Sequence, residues 1–353
     1  MSLNPPASSP SRAPRSLSAP LVVAAVLIVA GLSVGATAAY FELRPTATTP
    51  TTNSSVQVTD DTGRTVTAPA NAARVAVLSP SIMDIAFRLG LRDRIVTVGC
   101  TPSIEGGIFN EYSPNQTSLW GLSNASCVTD YPQLDTEHLA NLSVDLVLAS
   151  TITPEIAVDQ LTQTYHIAVV VLAPASLDGI VGDVRLVAQL FPTVQGNATA
   201  LEAQLETTLS AAAALDANVS TNGLAVPSVL LTYFYDSGGY YSYGPGSFGA
   251  SLIELAAGDN AAGSVPLLYA EVNATVVLDA QPAFVIYGTS WNDPYLVSFE
   301  TPGSWPSAPY WGQLTGDKIP VDVTVVTEAD PAMIFALPLM EHWLHPSLAL
   351  TPA

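Results

Sequence analysis

Val-rich runs and amphipathic stretches alternate along most of this chain, and their order predicts its architecture. Val56, Val58 and Val66 alternate with polar residues around Asp61-Thr62-Gly63-Arg64, a pattern that predicts a β-hairpin. An apolar run over 74–78 stops at Ser79-Pro80-Ser81, and 82–89 has helical spacing that ends at Gly90. Ser81 is the residue type of an N-cap, and Gly90 that of a C-terminal glycine. A Val-rich run at 95–98 completes a strand–helix–strand unit. Its short connections imply a parallel sheet with ligand-facing loops at the carboxyl ends of the strands.

The alternation continues with a strand at 145–149, a helix at 154–165 and a strand at 167–172. Two helical patterns follow, 177–191 and 198–215, with no strand between them. A second set comprises a strand at 228–234, a helix at 250–257, strands at 284–288 and 321–326, and a final helix at 332–344. The expected fold class is α/β, with two lobes: 56–175 and 223–353, joined by connecting helices over 176–222. If the lobes face each other, the loops that end their strands line a cleft. In the first lobe these are Ser79, Pro80 and Ser81, the stretch 99–107 with Thr101, the Trp120 region, and 150–154 with Thr151. In the second, six aromatic residues fall between Tyr233 and Tyr243, just before Ser247 and Phe248. Tyr233, Tyr241, Tyr243, Ser247 and Phe248 are candidates there, with Trp291 and Tyr295 beyond the next strand. Aromatic faces offer large, rigid contact area with a polar edge, which suits a macrocycle or bulky chelate. Ordinary sheet packing is the competing reading for each tyrosine.

Leu17 to Phe41 carries no charge, and as a helix it is long enough to cross the roughly 30 Å hydrocarbon layer. Arg12 and Arg15 before it predict that residues 1–16 stay in the cytoplasm and the rest lies outside. Ala36-Thr37-Ala38 leaves a cleaved signal peptide open as the alternative to a retained anchor. Residues 42–55 are Thr/Pro-rich and read as an extended linker or stalk.

Charge narrows the partners. Only 11% of residues are charged, the net charge is −20, and Lys318 is the single lysine. Nucleic acid is excluded as a partner because phosphate binding needs clustered Lys and Arg. Catecholate siderophores are disfavoured for the same reason, since Lys318 is the only cation after Arg185. A bare metal ion would need converging His and carboxylate ligands. His138, His166, His342 and His345 fall away from the expected cleft loops, so no metal site is assigned. Asp60-Asp61 reads as a solvated turn. Gly244-x-Gly246-x-x-Gly249 is a weak match to a dinucleotide fingerprint and reads better as a cleft loop opening a helix. Pro245 removes a nucleophile-elbow reading of Ser247. No nucleophile, base and orienter group together, so no reaction is assigned.

Seven of 13 asparagines lie in N-x-S/T sequons: Asn53, Asn115, Asn124, Asn141, Asn197, Asn218 and Asn273. Chance would give about two or three, so the excess suggests glycans on an exported surface. Ser/Thr-rich loops that generate sequons passively are the alternative. Cys100 and Cys127 are the only cysteines. In an oxidising compartment their pairing would contribute on the order of 3 to 4 kcal/mol in the chain-entropy model. Two free thiols remain the alternative.

From residue 56 to the end, the chain resembles substrate-binding proteins of ABC importers for cobalamin, iron-siderophores and haem. The residues that carry the resemblance are VQVTDDTGRTVTAPANAARVAVLSPS from Val56, then Tyr131-Pro132, Asp135-Thr136-Glu137-His138-Leu139 and Asp145-Leu146-Val147-Leu148-Ala149. Gly246-Ser247-Phe248, Leu252-Ile253-Glu254-Leu255-Ala256, Asn260 and Trp343-Leu344-His345-Pro346 continue it in order. The resemblance implies two Rossmann-like lobes joined by a long helix, a monomer, and a small-molecule ligand captured for a permease. It also implies one docking glutamate per lobe: Glu137 matches in the first, whereas the second has Thr275 at the matching place and Glu271 four residues earlier. The expectation is a surface-anchored solute-binding protein for a corrinoid or ferric chelate, with no cofactor beyond the cobalt or iron of the ligand. Haem through a tyrosine ligand stays possible. A surface enzyme, a cofactor-carrying domain or a sensory domain on the same scaffold is the alternative.

Overall fold

A computed structural model describes residues 54–99, 122, 125–129, 133–235, 237–288, 308–321 and 328–348. The apolar segment 17–41, nearly all of the linker, Cys100, Thr101, Trp120, Trp291, Tyr295, and the sequons at Asn53, Asn115 and Asn124 lie outside the described residues. Among the described residues no helix is long and apolar enough to cross a membrane.

The expected hairpin forms from β1 (Ser55–Thr59) and β2 (Thr65–Pro69), antiparallel with Val58 opposite Val66. Its turn is not the solvated one expected of Asp60-Asp61. Asp60 is buried, and its carboxylate accepts from the Thr62, Arg64 and Val171 backbone N–H groups and from the Arg64 guanidinium at 2.5 Å. Burial pushes the Asp60 carboxyl up, but these hydrogen bonds outweigh it and leave the pKa below the ordinary value. Asp61 accepts from the Ala173 N–H at 2.6 Å. Both acids therefore clip the hairpin to the first lobe, a tertiary role that no local pattern reveals.

The first lobe contains β3 (Val75–Val77), α1 (Pro80–Arg88), β4 (Ile95–Gly99) and β5 (Ser126–Val128). They are followed by α2 (Thr136–Asn141), β6 (Leu146–Ala149), α3 (Glu155–Asp159, continued by a π-helical turn at Gln160–Thr164), β7 (Ala168–Val171) and α4 (Leu177–Leu190). Its strands are all parallel, in the order β5-β4-β3-β6-β7. The central ones, β3 and β6, are buried on both faces, which fits their wholly apolar composition of Val, Leu and Ala. Helix α1 starts two residues earlier than its sequence pattern suggested, with Ser79 rather than Ser81 at the N-cap, because Pro80 suits the first helical position. It ends as expected: Gly90 takes φ +84°, its N–H bonds the Phe87 carbonyl and the Leu91 N–H bonds that of Ala86, a Schellman cap.

Helix α5 (Gln195–Thr221) is longer at both ends than the 198–215 pattern. At 1.5 Å per residue it runs roughly 40 Å. Ala198, Leu201, Leu205, Ala212 and Val219 form its buried stripe, which packs against α4. In chain order this helix lies between the last strand of the first sheet and the first strand of the second, where the resemblance implied a long helix.

The second lobe contains β8 (Ser228–Tyr235), β9 (Gly239–Tyr243), α6 (Phe248–Leu255), β10 (Asp259–Asn260), β11 (Tyr269–Asn273) and α7 (Ala274–Ala280). Then come β12 (Phe284–Gly288), β13 (Asp317–Val321), α8 (Pro331–Phe335) and α9 (Leu337–Leu344). Its sheet, β11-β9-β8-β12-β13 with a short β10 beside β8, is mixed, because β9 runs antiparallel to both β8 and β11. Of the strand expected at 321–326, Val321 ends β13 and 322–327 lie outside the described residues. The single final helix expected over 332–344 is instead two, broken at Ala336, because Pro338 has no N–H to continue the ladder.

Candidate functional site

The two lobes meet where the carboxyl end of β3 leads into α1, and the site is built around that junction. Ser79, which is buried, and Ser81 share a 2.7 Å hydrogen bond between their hydroxyls. The Ser81 N–H, at the start of α1, donates to the Glu328 carboxylate of the second lobe at 3.2 Å. Glu328 lies just before α8, and burial pushes its carboxyl up to about 7 although the Ser81 bonds pull the other way. Its charge is also felt by Tyr243 and Tyr269.

Aromatic side chains form the lobe-two side. Tyr243 and Tyr269 are direct cross-strand partners with ring centroids 5.7 Å apart, nearly edge to face. Tyr233 lies 5.2 Å from Tyr243 and 6.4 Å from Tyr241, at a register shift between Thr232 and Phe234 that re-aims its side chain. Phe248 closes the group, 5.2 Å from Tyr243 and 5.9 Å from Tyr269. Burial and neighbouring phenols push Tyr233 up to about 12, so at neutral pH it offers a ring face and an O–H, not a phenolate.

The candidates thus divide. Tyr233 and Tyr241 are partly exposed and Tyr269 is 51% exposed, so these can meet a ligand. Tyr243 is 1% exposed and serves as the hub on which the others pack. Ser247 is the N-cap of α6, its Oγ accepting from the Ala250 N–H, and Phe248 belongs to the core. Gly249 has a packing role: a Cβ there would fall 2.3 Å from the Tyr243 ring. Gly244 similarly admits the Leu267 carbonyl, so the G-x-G-x-x-G spacing reflects close packing. Thr151 is exposed at the end of β6, beside the exposed Ile152. Glu137 lies in the first turn of α2. Glu271 stands on β11 directly opposite Tyr241, while Thr275 occupies the corresponding turn of α7.

Sequence reasoning missed the acids behind the serines. Asp84 on α1 is fully buried and bonds the Arg88 Nε at 2.7 Å. Asp330 caps α8, accepting from the Met333 N–H, and burial together with the charges of Asp84 and Glu328 holds its carboxyl well above the usual range. Arg88 also lies over the Phe335 ring at 5.0 Å, tying α1 to α8. The Asp84/Arg88 spacing and the Asp330-Pro331 pair were visible signals for helix pairing and capping; nothing local marks Glu328. No group of three or more His, Cys, Asp or Glu able to hold a metal occurs among the described residues.

The fold has known counterparts. The chain is 27% identical over 233 residues to a cobalamin-binding protein from two strains of Halobacterium salinarum, which covers 65% of this chain. It spans 58% of the length of those relatives. Its structure superposes with a TM-score of 0.60 on the ABC-type Fe3+-hydroxamate transport protein of Saccharomonospora viridis, at 20% identity, covering 82% of this chain and 98% of that one. The periplasmic vitamin B12-binding protein BtuF of Vibrio cholerae gives 0.57 at 17% identity, covering 78% and 98%. This chain has the periplasmic binding-protein fold. No protein-family model matches it. The two-lobed α/β reading stands on these likenesses, and the structural counterparts are binding proteins.

Proposed function

We propose that the protein is an extracellular solute-binding protein that captures a corrinoid or ferric hydroxamate-type chelate for an ABC importer. The observation that carries this reading is the cation-poor, tyrosine-rich wall of Tyr233, Tyr241 and Tyr269 at the lobe junction, on a chain similar to a cobalamin-binding protein. Such a wall stacks on a flat or bulky neutral guest and has no positive group to hold carboxylates or catecholates. The apolar segment 17–41 supports tethering at the cell surface, and the exposed Glu137 in the first turn of α2 supports contact with a permease. A Cys100–Cys127 disulfide fits the same compartment, since Cys127 in β5 is not a free thiol.

The test is thermal-shift and calorimetric titration of residues 53–353, which form one compact unit, with cyanocobalamin, ferrioxamine, haem and a ferric catecholate. A ligand at 100 times its Kd stabilises by about 2.7 kcal/mol. Binding of cyanocobalamin or ferrioxamine but not the catecholate is expected. Preference for the catecholate, or no response to any of the four, would defeat the reading.

A further inference from the structure

We propose that, given the extracellular placement above, Asn141, Asn218 and Asn273 carry N-linked glycans, whereas Asn197, in an equally good sequon, does not. All four asparagines are exposed, and Asn197 differs from Asn218 and Asn273 in which side-chain atom is engaged. Asn141 is the exposed last residue of α2, and Asn218 is exposed in the last turn of α5. Asn218 uses its oxygen, accepting from the Asn222 Nδ2 at 2.5 Å. Asn273, exposed at the N-cap of α7, also uses its oxygen, accepting from the Thr275 N–H at 2.9 Å and the Thr275 hydroxyl at 2.6 Å. In both, the hydrogen bonding leaves the nitrogen out.

Asn197 is reversed. Its Nδ2 donates to the Leu89 carbonyl at 2.9 Å, fastening α5 to the end of α1. Even a Cβ placed on Gly90 would lie 3.3 Å from that nitrogen. Glycosylation forms a bond from the Asn nitrogen to the anomeric carbon of a lipid-linked saccharide phosphate, breaks the C–O bond to phosphate, and releases an amide proton and the phosphate lipid. At Asn197 a sugar ring would have to enter where one methyl group is already tight.

Strand direction gives the sites different surroundings. Asn141 and Asn218 lie in the last turns of the helices that lead into β6 and β8. Asn273 ends β11 opposite Gly239, and the Ala274 N–H bonds the Gly238 carbonyl, which puts it beside the carboxyl end of β8.

The experiment is site-resolved glycopeptide mass spectrometry on the full chain purified from its native cells. Chymotrypsin and an Asp/Glu-specific protease are needed, because Lys318 is the only tryptic site after Arg185. The expected result is glycan on Asn141, Asn218 and Asn273 and an unmodified Asn197. Glycan on Asn197, or its absence from any of the other three, overturns the assignment. Protease shaving of intact cells tests the placement separately. A surface-accessible chain with the wrong pattern refutes the sorting alone, and a protected chain refutes both.

Discussion

Replacing Asp183 with Asn should make the protein more stable at alkaline pH and remove much of its pH dependence. Asp183, on α4, is 1% exposed, and one carboxyl oxygen, Oδ1, has no hydrogen-bond partner. Burial, the charge of Asp61 and a hydrogen bond with Asp61 push its carboxyl up to about 9 from an ordinary 3.8. At neutral pH it is therefore a neutral acid donating to the Asp61 carboxylate, which in turn accepts from the Ala173 N–H. The folded state holds a proton that the unfolded chain has released. This stabilisation is complete below about pH 4 and is lost as pH rises towards 9, at up to about 1.4 kcal/mol per pH unit. Between pH 5 and 8 the loss amounts to about 4 kcal/mol. The amide introduced by Asp183→Asn would donate the same hydrogen bond at every pH, so D183N should match the native protein below about pH 4, exceed it increasingly above that, and gain about 4 kcal/mol on it between pH 5 and 8. Urea unfolding of both proteins at pH 5, 6, 7 and 8 reads the difference directly, and other titrations cancel. Parallel stability curves for the two proteins would refute the argument.

Three further outcomes follow from the geometry. Glu328→Gln should flatten stability between about pH 4.5 and 7, because the raised carboxyl of Glu328 favours the folded junction below that window and loses its effect as pH passes 7; unchanged slopes in the same urea series would count against it. Gly249→Ala places a methyl within the Tyr243 ring and should cost about 1 to 3 kcal/mol, read as a lower melting temperature, whereas a neutral effect would show that the α6–β9 contact yields. Tyr233→Ala and Tyr241→Ala should each weaken binding of the ligand found by titration by roughly 3- to 10-fold. Tyr240→Phe, on a side chain that bonds the Pro309 carbonyl, should leave that affinity unchanged. Equal losses in all three variants would place the ligand elsewhere.

The sequence by itself determined the repeating strand–helix order, because parallel strands buried on both faces are near-continuous apolar runs, and β3, β4, β6, β7 and β12 carry that signal. It also fixed local stops that need special backbone, as at Gly90. It did not reveal β9 and β11, whose mixed tyrosine, small and charged residues make sense only as strands beside β8. Nor did it separate Tyr243, a packing hub, from Tyr233 and Tyr241, since all three have the same local composition. The environments of Asp60, Asp183, Glu328 and Asp330 were not legible in the sequence. Only the tertiary structure buries these acids, pairs them and shifts their proton affinities, because desolvation and opposing charge depend on neighbours up to about 250 residues away along the chain, as Ser81 and Glu328 are.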